Sequence, residues 1–185
     1  MSEEKAVIRK RILNLLRNQK EEDKLRKSLG ILENFFSLPE FQRSKTILFY
    51  ASFDGEVDTF TMMQRAQKLG KRIALPAILR DKKMIIPKLI ENLQEDLNTG
   101  PYGIKQPCYD KKKSLDLKEI DLVVVPGIVF DKMNHRLGRG AGYYDRFLAK
   151  LPKGIPSVGL AFDFQVVERL PNQKHDIPLS RVIVN

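Results

Sequence analysis

The segment IDLVVVPGIVF, residues 120–130, is the part of the chain that most strongly indicates its fold. Its centre is a continuous run of β-branched and other apolar residues. Strands buried on both faces, as in parallel sheets, carry such runs, whereas half-exposed strands alternate apolar and polar residues. The segment therefore predicts a buried strand over 120–130.

Segments typical of strands and helices alternate along the rest of the chain. Further strands are predicted at 46–52, 72–78, 83–89, 155–162 and 180–185, with 83–89 broken by Pro87. Helices are predicted from Ser2 as N-cap, at 21–37, from Asp58 or Thr59 to just before Gly70, at 142–151 and at 164–170. This order is typical of an α/β fold with a mainly parallel sheet. In such folds ligands bind outside the carboxyl ends of the strands.

Length and composition indicate one folded domain over residues 1–185, because 42% of the residues are hydrophobic and 30% are charged. The net charge of +10 favours an anionic partner, and nucleic acid is one candidate. The basic residues are scattered in short groups, however, without the interleaved aromatic residues that base stacking requires. Solvated surface explains these groups, and a small polyanionic substrate explains the charge equally well.

The sequence predicts a cytoplasmic protein. Its apolar runs are too short to span a bilayer, and the N-terminal MSEEKAVIRKR carries acids and lacks the apolar region of a signal peptide. The single cysteine, Cys108, cannot form an internal disulfide, which suits a reducing compartment. One cysteine and two distant histidines, His135 and His175, give little support to a zinc site.

The segment RLGRGAGYYDR, residues 136–146, predicts a phosphate-binding loop. It follows the strongest strand and precedes a helix, and its alternate glycines allow the backbone to approach a ligand closely. Arg136 and Arg139 add donors that suit phosphate oxygens. Asp145 either holds a magnesium ion that bridges those phosphates or is a favourable charge in the first turn of the helix.

Three further residues have a functional and a purely structural interpretation. Lys5 lies within the apolar arc of the first helix and Arg9 at its edge, so Lys5 either reaches to water or meets an anion. Glu56, in FDGEVDT at the end of the first strand, either accepts hydrogen bonds from the N–H groups of a heterocycle or is an ordinary acid at the start of a helix.

Several motifs together resemble the 5-formyltetrahydrofolate cyclo-ligase family, also called 5,10-methenyltetrahydrofolate synthetases. They are Lys5-xxx-Arg9, YAS…GEVDT (50–59), GPYGIKQP (100–107), VPGIVFD (125–131), RLGRGAGYYDRFL (136–148) and HDIPL (175–179). The glycine-tyrosine segment after PGIVFD is the most specific of them. The resemblance covers most of the chain and implies a Rossmann-like, three-layer α/β sandwich with a mainly parallel central sheet.

The resemblance also implies a ligase of one-carbon metabolism. This enzyme would convert 5-formyltetrahydrofolate to 5,10-methenyltetrahydrofolate with ATP and Mg²⁺, releasing ADP and phosphate. Its partners would be reduced folate and ATP, with no nucleic acid and no membrane. Catalytic roles are implied for Lys5 and Arg139, and the metal would bind Asp145. ATP-binding roles are implied for Lys5, Arg9, Arg136, Leu137, Gly138, Arg139, Gly140, Ala141, Gly142, Tyr143 and Tyr144. Substrate-binding roles are implied for Ala51, Glu56, Arg139, Gly140, Ala141, Gly142 and Tyr143.

Two positions depart from the family pattern. Gln106 and Ser180 stand where relatives often carry an acid, which leaves the second metal ligand open. Two other functions remain as alternatives. One is a basic nucleic-acid-binding module that uses the arginine-glycine loop, and the other is an α/β sugar-phosphate enzyme or kinase.

Overall fold

The structure, a computed structural model, describes residues 3–100, 103–108, 113–171, 173 and 176–185. The predicted N-cap Ser2 lies outside this part of the chain, as does His175. The described helices are α1 (Glu3–Arg17), α2 (Glu21–Phe36), α3 (Pro39–Arg43), α4 (Thr59–Lys68) and α5 (Tyr143–Leu148). Within the described ranges, no helix is both long and apolar enough to cross a membrane.

The strands form three sheets. They are β1 (Thr46–Leu48), β2 (Arg72–Leu79), β3 (Met84–Ile90), β4 (Leu97–Thr99), β5 (Lys105–Pro107), β6 (Leu122–Val125), β7 (Val129–Asp131), β8 (Arg136–Leu137), β9 (Ser157–Ala161), β10 (Val166–Val167) and β11 (Arg181–Val184). The central sheet has the order β11-β9-β6-β1-β2-β3. Its neighbours are parallel except for β2 and β3, so the predicted mainly parallel sheet is confirmed.

The central sheet is buried on both faces, which gives the fold three layers. Ile47 and Leu122 pack with residues of α1, α2 and α4 in one core. Leu48 and Val123, the next residue along each strand, pack with residues of α5 in a second core. This alternation follows from the two-residue period of a strand. The α/β sandwich predicted from the sequence is therefore confirmed.

Local sequence explains where α4 begins. The side chain of Asp58 accepts hydrogen bonds from the N–H groups of Phe60 and Thr61, so Asp58 is the N-cap. Thr59, the alternative, is buried, and its hydroxyl donates to the carbonyl of Tyr50 at 2.6 Å. This bond ties the start of α4 to the chain that leaves β1.

Two predictions of secondary structure are wrong. The predicted strand 120–130 consists of β6 and β7, which belong to different sheets. The central strand ends before Pro126, which has no N–H to donate to a ladder. The predicted helix 164–170 is instead a 3₁₀ turn, Asp163–Gln165, followed by β10. Parallel pairing of β10 with β7 overrides the helical pattern there.

Other differences concern element ends and a proline. The β1 strand is shorter than 46–52, and α5 ends at Leu148 rather than at 151. Pro87 does not break β3, because it lies opposite Pro76 in the antiparallel register. A non-hydrogen-bonded pair in such a ladder requires no N–H from either residue. The register of β1 with β2 reaches only Ala74, so β1 requires no N–H from Pro76 either.

The core under α2 provides a test of this packing. Phe35 is fully buried, and its ring centroid lies 5.3 Å from that of Phe41 and 5.8 Å from that of Phe49. We expect Phe35→Ala to lower the free energy of unfolding by about 3–5 kcal/mol, because the lost ring leaves a cavity. Leu29→Ala on the same helix is the control, since Leu29 is 56% exposed. This change should alter the free energy of unfolding by no more than about 0.5 kcal/mol. Equal losses in urea unfolding would contradict this packing.

Candidate functional site

The site lies where the direction of chain progression across the sheet reverses. From β1 the chain passes through α4 to β2 on one side, whereas from β6 it continues to β9 and β11 on the other. The carboxyl ends of β1 and β6 are adjacent, since the two strands pair in parallel. Loops that leave such a pair diverge and leave a crevice, which is where ligands bind in open α/β sheets.

A cleft of about 1640 Å³ opens at this edge of the sheet. It is lined by every residue for which the sequence predicted a site role. These residues are Lys5, Arg9, Ala51, Glu56, Arg136, Leu137, Gly138, Arg139, Gly140, Ala141, Gly142, Tyr143, Tyr144 and Asp145. The structure therefore brings together residues that are up to 140 positions apart in the sequence. Their individual roles remain predictions.

The glycine loop connects β8 to α5 through backbone conformations that favour glycine. Gly140 and Gly142 have φ values of 102° and 64°, and Gly142 is the N-cap of α5. A Cβ atom on Gly142 would lie 2.9 Å from Nη1 of Arg146, whose Nη2 donates to the carbonyl of Ala141. Because α5 has only six residues, the loop's own N–H groups, more than a helix dipole, are its means of binding an anion.

Arg136 has a deeply buried side chain in the cleft, and it braces the loop. Its side chain is 3% exposed, and it donates to Oδ1 of Asp145 at 2.9 Å and to the carbonyl of Ile177 at 3.0 Å. Burial lowers the pKa of Arg136, and the carboxylate of Asp145 opposes that shift. Arg136 thus fixes Asp145 beside the loop.

Helix α1 contributes two predicted cations, Lys5 and Arg9, to the cleft. Nε of Arg9 donates to the carbonyl of Gly138 at 2.9 Å, and burial lowers the pKa of Arg9. Nζ of Lys5 lies 2.9 Å from Oδ2 of Asp176, with the Lys5 side chain 13% exposed. Lys5 therefore meets an anion, which is one of the two interpretations that the sequence left open, although that anion is a carboxylate of the protein.

Glu56 and Arg139 lie next to each other in one wall of the cleft. Nη2 of Arg139 lies 3.5 Å from Oε1 of Glu56, and Nη1 of Arg139 donates to Oδ2 of Asp54 at 3.2 Å. The guanidinium also lies over the ring of Phe53, 4.0 Å from its centroid. Glu56 Oε2 accepts from the N–H of Phe53. Three residues of the segment 53–56 therefore contact the guanidinium of Arg139.

Burial dominates the acid–base properties of this wall. It raises the pKa of Glu56 to about 7, against the opposing influence of Arg139 and of the Phe53 N–H group. Burial also raises the pKa values of Tyr50 and Tyr144, with Glu56 as the next contribution to both. No described residue hydrogen-bonds to the buried hydroxyl of Tyr144. A ligand in the cleft can therefore supply a hydrogen-bond partner for the Tyr144 hydroxyl.

The electrostatics of the cleft favour a polyanion. Eight cationic side chains and four carboxylates line it. The cations are Lys5, Arg9, Arg17, Arg80, Lys105, Arg136, Arg139 and Arg146, and the carboxylates are Asp54, Glu56, Asp145 and Asp176. A concave surface with an excess of one charge concentrates ligands of the opposite sign.

Gln106 and Ser180, which stand where relatives often carry an acid, lie in different parts of the structure. Gln106 lines the cleft, and a Cβ atom on Gly100 would lie 2.6 Å from its amide group. Ser180 precedes β11, at the amino edge of the sheet, and its Oγ accepts from the N–H of Ser157. Among the described residues, no group of three His, Cys, Asp or Glu could hold a metal ion. Asp145 is the one metal ligand that the family resemblance implies.

Sequence reasoning missed Asp54, Arg17 and Phe53. Asp54 lies within FDGEVDT, and the Asp-Gly pair at 54–55 is a turn signal, but it points to no function. Arg17 donates to Asp54 through Nε at 2.8 Å and Nη2 at 2.9 Å. No sequence pattern links these two residues.

Comparison with known proteins gives consistent results. The sequence profile of the 5-formyltetrahydrofolate cyclo-ligase family matches residues 1–185. The chain is 33% identical over 156 residues to the 5-formyltetrahydrofolate cyclo-ligase of Haemophilus influenzae, covering 84% of this chain and 83% of that protein. It is 35% identical over 147 residues to the enzyme of the same name from Escherichia coli, covering 78% and 80%.

A solved structure extends the similarity to the fold. The NMR structure of 5,10-methenyltetrahydrofolate synthetase from Aquifex aeolicus superimposes with a TM-score of 0.84 at 35% identity. The superposition covers 97% of this chain and 89% of that chain. Sequence and structure therefore point to the same group of proteins.

The raised pKa of Glu56 predicts a pH dependence of stability. Between its ordinary value of 4.5 and about 7, the folded chain keeps a proton that the unfolded chain releases. The free energy of unfolding should therefore fall as pH rises through this window, by at most about 1.4 kcal/mol per pH unit. Glu56→Gln has no such proton, so its stability relative to wild type should increase from pH 5 to pH 8 in urea unfolding.

The change Glu22→Gln, at an exposed site in the first turn of α2, controls for the loss of one carboxylate. A stability difference for Glu56→Gln that is independent of pH would contradict the assignment.

Proposed function

The chain belongs to the 5-formyltetrahydrofolate cyclo-ligase family, and we propose that it converts 5-formyltetrahydrofolate to 5,10-methenyltetrahydrofolate with ATP and Mg²⁺, releasing ADP and phosphate. It is thus an enzyme of folate and one-carbon metabolism. The observation that carries the proposal is the cationic cleft, where a glycine loop with two arginines meets a buried carboxylate. This arrangement suits a substrate pair of a polyphosphate and a heterocycle with N–H donors.

The reaction has a chemical obstacle that ATP removes. The carbon of an N-formyl amide is a weak electrophile, so the neighbouring N10 nitrogen attacks it too slowly. In the proposed mechanism the formyl oxygen attacks the γ-phosphorus of ATP and displaces ADP. N10 then attacks the activated carbon and loses its proton, and the C–O bond breaks to release phosphate as the ring closes. No covalent enzyme nucleophile takes part.

Positioning and charge neutralisation are then the main tasks of the protein. Lys5 and Arg9 are proposed to bind ATP phosphates together with the backbone of the glycine loop. Both already contact groups in the cleft, Lys5 through Asp176 and Arg9 through the carbonyl of Gly138. In the proposal, phosphate oxygens of ATP bind Lys5 either together with Asp176 or in place of it. Tyr143 and Tyr144 are proposed to contact the ligands from the end of the loop.

Arg139 is proposed to neutralise the phosphoryl group during its transfer to the formyl oxygen. Its position between the glycine loop and Glu56 supports this role, because the formyl group of folate has to lie between the phosphates and the pterin ring. Neutralising charge that develops only in the transition state accelerates the chemical step rather than binding. Lys5 is proposed to act on the same charge from the side of α1.

Asp145 fits a magnesium site of the kind that nucleotides use. Mg²⁺ in such sites takes one or two carboxylates, substrate phosphates and water, rather than a cage of protein ligands. The hydrogen bonds from Arg136 and Ile177 both reach Oδ1 of Asp145, and the side chain lines the cleft. When bound, the ion neutralises phosphate charge. Arg136 holds the carboxylate in place for it.

Glu56 is proposed to recognise the pterin, with Ala51 beside it in the pocket wall. The carboxylate form accepts hydrogen bonds, and the N–H groups of a pterin form a paired donor array. Burial disfavours that form, since it raises the pKa of Glu56 to about 7. The ligand's donors and Arg139 supply the stabilisation that water provides to an exposed carboxylate.

Family membership favours this function over the two alternatives from the sequence. A nucleic-acid-binding module predicts steeply salt-dependent binding of RNA or DNA without turnover of folate. A sugar-phosphate enzyme predicts turnover of phosphosugars. Formation of 5,10-methenyltetrahydrofolate is the result that separates the proposed function from both alternatives.

We expect the 5,10-methenyltetrahydrofolate absorbance to rise only when 5-formyltetrahydrofolate, ATP and Mg²⁺ are all present. Arg139→Ala should lower kcat/KM by about 10²–10³-fold, a loss typical of removing one donor that stabilises transition-state charge. The control is Arg26→Ala, which removes an exposed arginine of α2 outside the cleft and should leave the rate unchanged. Folded wild-type protein without product would refute the proposed function. Normal turnover by Arg139→Ala would refute the role of Arg139 alone.

A further inference from the structure

We propose that Asp54, fixed by Arg17, is a positioning residue that holds Arg139 toward the phosphoryl group while Glu56 binds the folate. The inference rests on the proposed function, because it concerns how two of its residues act together. Neither Asp54 nor Arg17 was expected at the site from the sequence, and both line the cleft.

The first feature is a shared carboxylate. Oδ2 of Asp54 accepts from Nη2 of Arg17 at 2.9 Å and from Nη1 of Arg139 at 3.2 Å. Oδ1 accepts from Nε of Arg17 at 2.8 Å, so Arg17 binds Asp54 in a bidentate manner. A bidentate pair fixes the plane of the carboxylate as well as its position. Oδ2 therefore offers Arg139 a point of attachment whose direction is set by α1.

The second feature is the backbone beneath that carboxylate. Asp54 and Gly55 have φ values of 55° and 82°, which turn the chain sharply. A Cβ atom on Gly55 would lie 2.1 Å from the carbonyl oxygen of Leu16, so the turn is pressed against the end of α1. The amide of Gln19 donates to the carbonyls of both Leu16 and Gly55. The attachment point is thus on a fixed turn.

The third feature is that the side chain of Arg139 is held by a different segment of the chain. Its neighbours are Gly138 and Gly140, and glycine permits a wide range of backbone conformations. Among the described residues, its side chain makes hydrogen bonds, ion pairs and ring contacts only with the segment 53–56, through Phe53, Asp54 and Glu56. The direction of the guanidinium is therefore set from outside the glycine loop.

The fourth feature is the competition for Glu56. Arg139 lies within hydrogen-bonding distance of Asp54, at 3.2 Å, whereas its distance to Glu56 is 3.5 Å. A pterin that takes the oxygens of Glu56 weakens the second contact. The hydrogen bond between Asp54 and Arg139 does not involve Glu56, so it persists when folate binds Glu56. Arg139 therefore stays directed toward the phosphoryl group in the folate complex.

The pair Arg17–Asp54 is suited to a test because its loss should not unfold the protein. The side chain of Arg17 is 57% exposed, and exposed ion pairs contribute little to stability. Asn tolerates positive φ as Asp does, so Asp54→Asn keeps the turn and removes the charge. Asp23→Asn is the matched control, because Asp23 pairs with Arg26 on the exposed side of α2.

We expect Asp54→Asn to lower kcat about tenfold at saturating substrates, a loss in the range that a misplaced group causes. The KM for 5-formyltetrahydrofolate should stay within about twofold, because Glu56 remains in place. Arg17→Gln should lower kcat in the same direction but less, and Asp23→Asn should leave both constants unchanged. An unchanged kcat in Asp54→Asn, or a rise in the folate KM alone, would overturn the proposal, since Asp54 would then merely support the pocket wall.

A double-mutant cycle decides whether Asp54 acts through Arg139. In the Arg139→Ala background, Asp54→Asn should lower the residual kcat by less than about twofold, because no guanidinium remains to be positioned. A tenfold loss in that background as well would overturn the proposal. Wild-type protein without ATP-dependent turnover would remove the proposed function and this inference with it. An active wild type with an Asp54→Asn variant of equal kcat would remove only the inference.

Discussion

The parallel pairing of β1 with β6 is the constraint on which the site depends. Ile47 lies beside Leu122 and Leu48 beside Val123, so the two strands end together at the carboxyl edge of the sheet. From β1 the chain continues to β2 on one side of the sheet, and from β6 it continues to β9 on the other. The space between the diverging loops cannot be filled by either of them. The cleft follows from this topology, and the side chains of the two loops determine what it binds.

Helix α1 joins the two ends of that cleft. Near its start, Lys5 and Arg9 contact Asp176 and the glycine loop. At its end, Arg17 holds Asp54, which in turn contacts Arg139. The cations that the proposal assigns to phosphate therefore already have oxygen partners in the cleft. Buried charges without partners are costly, so a site that awaits a polyanion is more stable with internal counter-ions that the ligand exchanges or shares.

The parts of the fold that depend on local chemistry were predictable from the sequence. The apolar run at 122–125 revealed the central strand, and the glycine loop with Arg136 and Arg139 revealed the place of the site. The parts that depend on distant neighbours were not. The segment 166–167 became a strand through pairing with β7. Likewise, the link between Arg17 and Asp54 exists only because the turn after β1 meets the end of α1, a contact that no periodicity encodes.

The central claim is that the cleft activates the formyl oxygen by phosphoryl transfer, and an oxygen-labelling experiment tests it most directly. The enzyme would be supplied with 5-formyltetrahydrofolate carrying ¹⁸O in the formyl group, with ATP and Mg²⁺ in unlabelled water. The released phosphate would be analysed by mass spectrometry. The account predicts one ¹⁸O atom in each phosphate, because the C–O bond of the activated formyl group breaks as the ring closes. Unlabelled phosphate accompanying full conversion to 5,10-methenyltetrahydrofolate would contradict it.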